Sequence, residues 1–322
     1  MNIIIKTPNF IGDTIMMLPA FELLKLEYPR ANFTIICKAS CIDIFREKGI
    51  KRFIIDDSRL KKNGRLKKSL LVLNEIRQER YDLGIIFRNT LVDALIFKLS
   101  KIETIIGYDN ENRRVFLDFW LKIDRTRHYI NHYAYLINSY LNNRYKTLPP
   151  MELNYQDSKL INKKDKKVVG FVLGGDNKGS RTYPKNLSLE LFKLLKDKNI
   201  DIVLLGDKDD NQNNKIYEDY LKSIQIDINN LSGKTTIAEF IDAISSLDLL
   251  VTIDTSAMHI ASATNTKFIT LIGKGTSVFE SVKPKVNFGK YLYRDNLDID
   301  DNILISNIKP QLIRDTILEV LK

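Results

Sequence analysis

Short apolar runs alternate along this chain with longer segments in which apolar residues recur at helical spacing. Such runs are typical of buried strands, and strands that alternate with helices predict a parallel sheet covered by helices on both faces. In the first half the pattern predicts strands at residues 2–5, 33–37, 52–56, 82–87 and 103–107, and helices at 15–28, 40–48, 65–79, 91–99 and 128–142. In the second half it predicts strands at 167–174, 201–206, 229–233, 249–251 and 268–273, and helices at 187–198, 211–223, 235–246 and 310–322.

The periodicity lapses between residues 145 and 167, where two prolines and a charge-rich stretch predict a linker. A chain of 322 residues is longer than one core usually supports. We therefore expect two α/β domains, at residues 1–155 and 156–322. Loops at the carboxyl edges of two such sheets are expected to face each other across a cleft.

The formal charge of +10 comes from 50 Lys+Arg against 40 Asp+Glu. This excess is consistent with an acidic partner such as a phosphate-rich substrate, an anionic membrane or a nucleic acid, and equally with a lysine-rich composition. A basic run at 59–69, which includes Lys61 and Lys62, is typical of a solvated face and, beside a membrane, would bind anionic lipid. The chain has no basic motif interleaved with aromatic residues, so no nucleic-acid partner is expected.

Cys37 and Cys41 lack a second pair or flanking histidines, which indicates reduced, packed thiols and no zinc site. His128 and His132 have the spacing of a metal-binding pair but no carboxylate partner, so we expect a surface pair. No signal peptide is expected, because Asn2 and Lys6 bracket only a short apolar run, and no apolar run approaches the ~20 residues of a membrane span. A cytoplasmic protein is predicted.

The stretch DLLVTIDTSAMHIASAT at 248–264 predicts a buried strand that enters a helix. Asp254 and Thr255 then lie at the carboxyl end of the strand, where the N–H groups of a helix start can bind an anion. His259 follows one helical turn later. The alternative interpretation is an ordinary N-cap followed by a packed histidine.

Three other loops carry candidate chemistry. The loop GGDNKGSR at 174–181 combines glycines with an arginine, which suits a phosphate, although it lacks the GK[ST] ending of a P-loop. A small hydroxylated loop, KGTS, lies at 274–277. After the first strand, Gly12 and Asp13 stand at a helix entrance without a GxGxxG motif, and Asp13 is either an N-cap or a general base.

Four segments, taken together and in order, resemble glycosyltransferase family 9, the ADP-heptose:lipopolysaccharide heptosyltransferases. They are PNFIGDTIMMLPAF at 8–21, RTYP at 181–184, LVTIDTSAMHIASA at 250–263 and LIGKGTS at 271–277. PNFIGD is more similar to the second heptosyltransferase, which extends the first inner-core heptose, than to the first. Two positions depart from the family pattern: Arg181 replaces a common lysine, and Ser256 replaces a common glycine.

The resemblance implies a GT-B fold, in which the N-terminal domain binds the acceptor and the C-terminal domain binds the nucleotide sugar. It implies inverting transfer without a metal or cofactor, with Asp13 as the base. The residues that would hold the donor are Gly174, Gly175, Arg181, Asp254, Thr255, Ser256, His259 and Thr276, with Asp210 or Asp209 on the ribose. The residues that would contact the acceptor are Asn9, Gly12, Lys61 and Lys62. The final helix, 310–322, is expected to return to the N-terminal domain.

The expected activity is transfer of L-glycero-D-manno-heptose from ADP-heptose to the phosphorylated inner core of lipopolysaccharide, onto the first heptose. The alternatives are transfer to the Kdo of lipid A, transfer to another surface glycan, and a non-catalytic nucleotide-binding module. The expected protein is a monomer at the cytoplasmic face of the inner membrane.

Overall fold

The computed structural model describes residues 1–57, 64–124, 126–163, 165–273, 278–293 and 305–322. Contacts divide the chain into two compact units, Met1–Asn154 and Tyr155–Lys322. Three residues expected in the site, Lys61, Lys62 and Thr276, lie outside the described residues, as do the KGTS loop and part of the basic run. No helix in the described ranges has the length and apolar character needed to cross a membrane.

The first unit is built on a sheet of parallel strands. Its described strands are β1 (Asn2–Lys6), β2 (Asn32–Cys37), β3 (Ile50–Ile55), β4 (Leu83–Ile86), β5 (Thr104–Asp109) and β6 (Phe119–Lys122). Its described α-helices are α1 (Ile11–Met16), α2 (Leu18–Glu27), α3 (Arg65–Ile76), α4 (Leu91–Leu99) and α5 (Tyr129–Tyr140). The strands pair in the order β3-β2-β1-β4-β5-β6.

The second unit repeats this plan. Its described strands are β7 (Lys167–Val172), β8 (Ile200–Leu204), β9 (Ile228–Asn230), β10 (Leu249–Ile253), β11 (Phe268–Leu271) and β12 (Gly289–Leu292). Its described α-helices are α6 (Lys185–Leu195), α7 (Asn211–Ser223), α8 (Ile237–Ser245), α9 (Ser256–Ala263), α10 (Phe279–Val282) and α11 (Pro310–Leu321). The order β12-β11-β10-β7-β8-β9 is the same topology as in the first sheet, counted from the opposite edge.

The order of the strands creates a switch point in each sheet. β1 pairs with both β2 and β4, and β7 pairs with both β8 and β10. In doubly wound sheets ligands bind outside the carboxyl ends of the strands at this point. Asp13 follows β1, Gly174 follows β7 and Asp254 follows β10, so the candidate residues lie at the switch points of their own sheets. The predicted α/β architecture is confirmed.

The central strands are buried on both faces. Ile3, Ile4 and Ile5 of β1 are 0% exposed, and so are Leu249, Leu250 and Val251 of β10. This burial explains why their sequences are continuous apolar runs rather than alternating ones. Two of the four edge strands, β6 and β12, were missed because they lack such an apolar run. β6 and β12 are four residues long and only partly buried, and pairing with a neighbouring strand makes them extended.

Two predicted helices differ in the structure. The segment 15–28, expected as one amphipathic helix, is divided between α1 and α2 at Met17, and most of its side chains are buried. Residues 40–48 form a 3₁₀ helix at Ala39–Phe45 instead of an α-helix. Both segments pack close to the core, so tertiary contacts override the periodicity.

The final helix contributes to the core of the second unit. Ile313 and Ile317 of α11 are 0% exposed and join the cluster that contains Leu191 and Phe192 of α6. Just before α11, the carbonyl of Ile308 accepts a hydrogen bond of 2.7 Å from the Tyr183 hydroxyl. The apolar side of α11 is thus used within the second unit. The expected return of this helix to the N-terminal domain stays a prediction.

The prediction of a surface histidine pair is wrong. His128 and His132 are each 7% exposed. His128 caps α5 by accepting the Ile130 N–H, whereas His132 stacks on Tyr108 with ring centroids 3.9 Å apart. Burial lowers the pKa of His132 to about 4, so the ring is neutral near pH 7. In the described ranges no three His, Cys, Asp or Glu side chains are placed to hold a metal ion.

Candidate functional site

Asp13 lies in the first turn of α1, directly beyond the carboxyl end of β1. The residue at the N-cap position is Phe10, and no side chain caps this helix. The N-cap interpretation of Asp13 is therefore wrong, because the Asp13 carboxylate closes no helix end. Among the described residues, no side chain forms a hydrogen bond or an ion pair with it.

The environment of Asp13 makes its carboxylate a stronger base than usual. Burial raises its pKa from 3.8 to about 6, because a partly buried carboxylate loses hydration of its charged form. Burial raises the pKa of Tyr133 and of Cys41, and the nearby charge of Asp13 raises both further. A carboxylate that titrates near neutrality is matched to accepting a proton at physiological pH.

A buried network of charges at the same sheet edge was not found from the sequence. Lys6 ends β1, Asp56 follows β3 and Arg88 follows β4, and the Asp56 carboxylate binds both cations. Its Oδ2 atom lies 3.1 Å from Nη1 of Arg88. The same Nη1 donates to Oδ1 of Asn9 over 3.2 Å, and Arg88 also pairs with Asp93 of α4.

This network joins the segments that follow β1, β3 and β4. Lys6 and Asp93 are each 3% exposed and Asp56 is 6% exposed, so the charges are held by one another and not by water. Burial and then the nearby Arg88 lower the pKa of Lys6. Asn9, expected to contact the acceptor, is positioned by Arg88, and Gly12 lies half-buried in α1. The sequence signal for this network was a charged residue close to the end of each apolar run that forms β1, β3 or β4.

A further cation, Arg113, supports the loop after β4. Arg113 is 0% exposed and donates to the carbonyl oxygens of Tyr108 at 2.6 Å and Arg88 at 2.7 Å. Its Nη2 atom also donates to Oδ1 of Asn89 at 3.0 Å. Burial lowers the pKa of Arg113 to about 10, and the side chain stays charged near neutral pH. Arg113 therefore holds the segment from which Arg88 reaches Asp56 and Asp93.

In the second unit, the glycine-rich loop fits closely against its neighbours. Gly174 has φ of +84°, and a Cβ atom there would lie 2.7 Å from Cδ1 of Ile253. A Cβ atom at Gly175 would lie 2.8 Å from the carbonyl oxygen of Asp209. Both positions therefore require glycine. The loop continues as a 3₁₀ turn at Asp176–Arg181, and Thr182 closes it with a hydrogen bond of 2.6 Å to the Gly175 carbonyl.

Arg181 connects this loop to the start of α9. Its Nη1 atom donates to the carbonyl oxygen of Asp254 over 3.0 Å. Thr255 is the N-cap residue of α9 without a capping side-chain bond, and Ser256 is its first residue. Burial raises the pKa of Asp254, whereas Arg181 opposes the shift. The structure thus brings together the glycine-rich loop, a cation and a helix N-terminus, a combination suited to a diphosphate.

Two residues that were expected to bind the nucleotide sugar are less accessible than expected. His259 is 5% exposed on α9, and Asp210 is 3% exposed. The Oδ2 atom of Asp210 accepts the Asp207 N–H at 2.9 Å and thereby closes the turn before α7. This burial leaves the Asp210 carboxylate poorly placed to contact a ribose. Asp209 is exposed next to it and accepts a hydrogen bond of 2.7 Å from Asn177.

Two cavities in the described residues lie away from these side chains. One of about 640 Å³ is lined by residues such as Asn162, Asp201 and Asn229 in the second unit. The other, of about 570 Å³, is lined by residues such as Glu22, Lys48 and Pro149 in the first unit. Neither includes a predicted site residue, so the chemistry of the loops identifies the candidate site better than cavity size.

Comparison with known proteins gives consistent matches over the whole chain. The family described as glycosyltransferase family 9 (heptosyltransferase) matches residues 70–285, about two thirds of the chain. Lipooligosaccharide heptosyltransferase 2 of Haemophilus influenzae is 25% identical over 300 residues, covering 85% of this chain and 83% of the relative.

Solved structures show the same fold. The E. coli ADP-heptose lps heptosyltransferase II superposes with a TM-score of 0.85 at 20% identity, covering 100% of this chain and 98% of the other. An E. coli heptosyltransferase with ADP-2-deoxy-2-fluoro heptose superposes with a TM-score of 0.77 at 16% identity, covering 99% of each chain. The expected fold class, two Rossmann-like α/β units within one chain as in GT-B proteins, is confirmed.

Proposed function

Because this chain belongs to glycosyltransferase family 9, we propose that it transfers L-glycero-D-manno-heptose from ADP-heptose to the inner core of lipopolysaccharide. The proposed acceptor is the first heptose of the core. This choice is supported by relatives from Haemophilus influenzae and E. coli that are named heptosyltransferase 2. The structural observation that most supports transfer from a nucleotide sugar is the contact between Arg181 and the start of α9.

The second unit is proposed to bind the donor. The N–H groups at Thr255 and Ser256 and the guanidinium of Arg181 would bind the diphosphate, and glycines at 174 and 175 let the loop approach it closely. These donors would also stabilise the negative charge that develops on the leaving ADP. Because Asp210 is buried, the exposed Asp209 is the better candidate to bind the ribose hydroxyls.

The first unit is proposed to supply the base. Asp13 would accept the proton of the acceptor hydroxyl while that oxygen attacks the anomeric carbon of heptose. The bond from this carbon to the diphosphate oxygen breaks at the same time, and ADP leaves with the electron pair. Attack opposite the leaving group inverts the anomeric configuration. The raised pKa of Asp13, about 6, supports this role.

The reaction is tested with purified protein, ADP-heptose and two acceptors, one being Kdo-lipid A and the other the same molecule carrying one heptose. We expect product only on the heptosylated acceptor. Transfer to Kdo-lipid A alone would assign the first heptosyltransferase reaction instead. Binding of ADP without transfer to either acceptor would reject the proposed acceptors.

Arg181→Ala is expected to weaken ADP binding by about 1.5–3 kcal/mol, roughly 10- to 150-fold, the scale of a hydrogen bond to a charged group. Arg181→Lys should recover part of the loss, because it keeps the charge without the planar fork. Arg314→Ala is the matched control, since it removes an arginine on α11 that pairs with Asp315. Calorimetry with ADP gives the affinities. Equal affinities for Arg181→Ala and Arg314→Ala would exclude Arg181 from the diphosphate site.

A further inference from the structure

The outer surface of the first unit carries an exposed apolar patch on two neighbouring helices. On α3, Leu70 and Leu71 are 50% and 57% exposed. On α4, Leu91, Val92, Leu95 and Leu99 are 40–50% exposed. The two helices lie side by side, and Arg77 at the end of α3 donates to the carbonyl oxygen of Leu99 at 2.8 Å. We call these six side chains the α3–α4 face.

The α3–α4 face is not the side of the helices that builds the core. Val72 and Ile76 of α3, with Ala94 and Phe97 of α4, point inward and are at most 6% exposed. Helix α4 is thus apolar on its inner and outer sides alike. A helix at the surface of a domain normally presents polar residues to water, and an apolar outer side marks an interaction surface.

Basic and aromatic side chains border the α3–α4 face. Lys67 and Lys98 lie on the two helices themselves and are exposed. The short 3₁₀ segment next to α4 contributes Arg114 and Val115, and Val115 is 72% exposed. The Arg114 guanidinium lies 5.8 Å from the ring centroid of Trp120, a tryptophan that is 38% exposed. Apolar residues with a basic border and an exposed tryptophan match the interface of a lipid bilayer.

The net charge is concentrated in the unit that carries this face. Residues 1–154 contain 26 Lys+Arg and 17 Asp+Glu, which gives +9, whereas residues 155–322 contain 24 and 23, which gives +1. A strongly positive unit is attracted to an anionic surface, and self-association through the same face would bring like charges together. The charge therefore favours a lipid surface over a second copy of the chain.

We propose that the α3–α4 face docks this protein on an anionic phospholipid bilayer. The leucine and valine side chains insert at the boundary between headgroups and acyl chains, and Lys67, Lys98 and Arg114 bind the phosphates of the headgroups. The inference is independent of the proposed heptose transfer. The vesicles used to test it contain no glycolipid acceptor, so a failure of docking and a failure of transfer are measured separately.

The apolar part is tested by sedimentation with vesicles of phosphatidylethanolamine and phosphatidylglycerol, using the full chain. Leu95→Glu/Leu99→Glu is expected to lower the partition coefficient by about tenfold or more, because two apolar side chains become anionic. The matched control is Ile216→Glu/Leu312→Glu, which makes the same change at positions of the second unit that are 43% and 49% exposed. The control should bind within about twofold of wild type.

The electrostatic part is tested with Lys98→Glu/Arg114→Glu, for which we expect a loss of about tenfold or more at low salt. Lys196→Glu/Lys198→Glu changes the net charge equally at exposed positions of the second unit and should have a much smaller effect. Vesicles of phosphatidylcholine should bind the wild type weakly. Urea unfolding with a wild-type midpoint, followed by the fluorescence of Trp120 in the first unit, shows that the unit carrying the α3–α4 face is folded in each variant.

Three results would overturn the proposal. The first is a wild type that does not sediment with anionic vesicles. The second is equal binding by Leu95→Glu/Leu99→Glu and its control. The third is a wild-type dimer in analytical ultracentrifugation that Leu95→Glu/Leu99→Glu converts to a monomer without a change in vesicle binding, which would assign the α3–α4 face to contacts between copies.

Discussion

Asp13→Asn is expected to reduce the rate of heptose transfer by about 10²- to 10⁴-fold, the usual contribution of a general base. Asparagine keeps the size of the side chain but cannot accept the proton from the acceptor hydroxyl. Binding of ADP should stay within about twofold, because the proposed donor residues belong to the second unit. In the wild type, kcat/KM should fall as the pH drops below about 6, where Asp13 becomes protonated.

The same substitution is expected to stabilise the fold at high pH. The folded-state pKa of Asp13 is raised from 3.8 to about 6, because the folded protein favours the protonated carboxyl. The folded state therefore loses stability as the pH rises through this window and Asp13 becomes charged. Above pH 7 the cost is at most about 3 kcal/mol, and Asp13→Asn removes it. Urea unfolding should show the variant more stable than wild type at pH 8, with the difference vanishing towards pH 4.

The matched control for Asp13→Asn is Asp219→Asn, an exposed aspartate of α7. It should leave transfer and its pH profile unchanged. If Asp13→Asn retains more than about a tenth of the wild-type rate, or if its stability gain is the same at pH 8 and pH 4, Asp13 is neither the base nor a carboxylate of raised pKa.

Asp56→Ala is expected to destabilise the first unit by about 3–5 kcal/mol, the cost of removing one partner from a buried ion pair. The substitution leaves Lys6 buried without its carboxylate and removes one of the two carboxylates that hold Arg88. Unfolding in urea, followed by a probe in the first unit, measures the loss. Adding Lys6→Met to Asp56→Ala should restore part of the stability, because no uncompensated charge is then buried at β1.

Glu79→Ala provides the comparison for Asp56→Ala. Glu79 pairs with Lys51 at 3.1 Å on the surface of the same unit, where the lysine side chain is 46% exposed. Its loss should cost no more than about 1 kcal/mol. Similar costs for Asp56→Ala and Glu79→Ala would show that the buried network does not hold the sheet edge together.

The positions of the donor loops could be predicted because they depend on strand ends alone. Gly174 and Asp254 follow apolar runs that had to be buried strands, and β7 and β10 are neighbours, so their loops meet. The structure adds the contact itself, in which Arg181 donates to the carbonyl oxygen of Asp254 over 3.0 Å. The position of Asp13 after β1 was predicted in the same way, although its lack of any capping role became visible only in the structure.

Other features depend on geometry that the pattern does not carry. The network of Lys6, Asp56 and Arg88 requires β1, β3 and β4 to end at one level, and sequence does not give that register. Asp210 is buried because its carboxylate closes its own turn, while Asp209, one residue earlier, remains exposed. Because α4 is apolar on both sides, periodicity alone could not show which side faces the core and which faces outward.

The position of α11 has a consequence for the order in which the protein forms during synthesis. In the described residues, the first sheet takes every strand from residues before Asn154, and the buried side chains of α11 belong to the second core. The N-terminal unit therefore needs no later segment to complete its sheet, and it can fold on the ribosome while residues 155–322 are still being translated. A chain stopped at Asn154 that failed to fold would contradict this order.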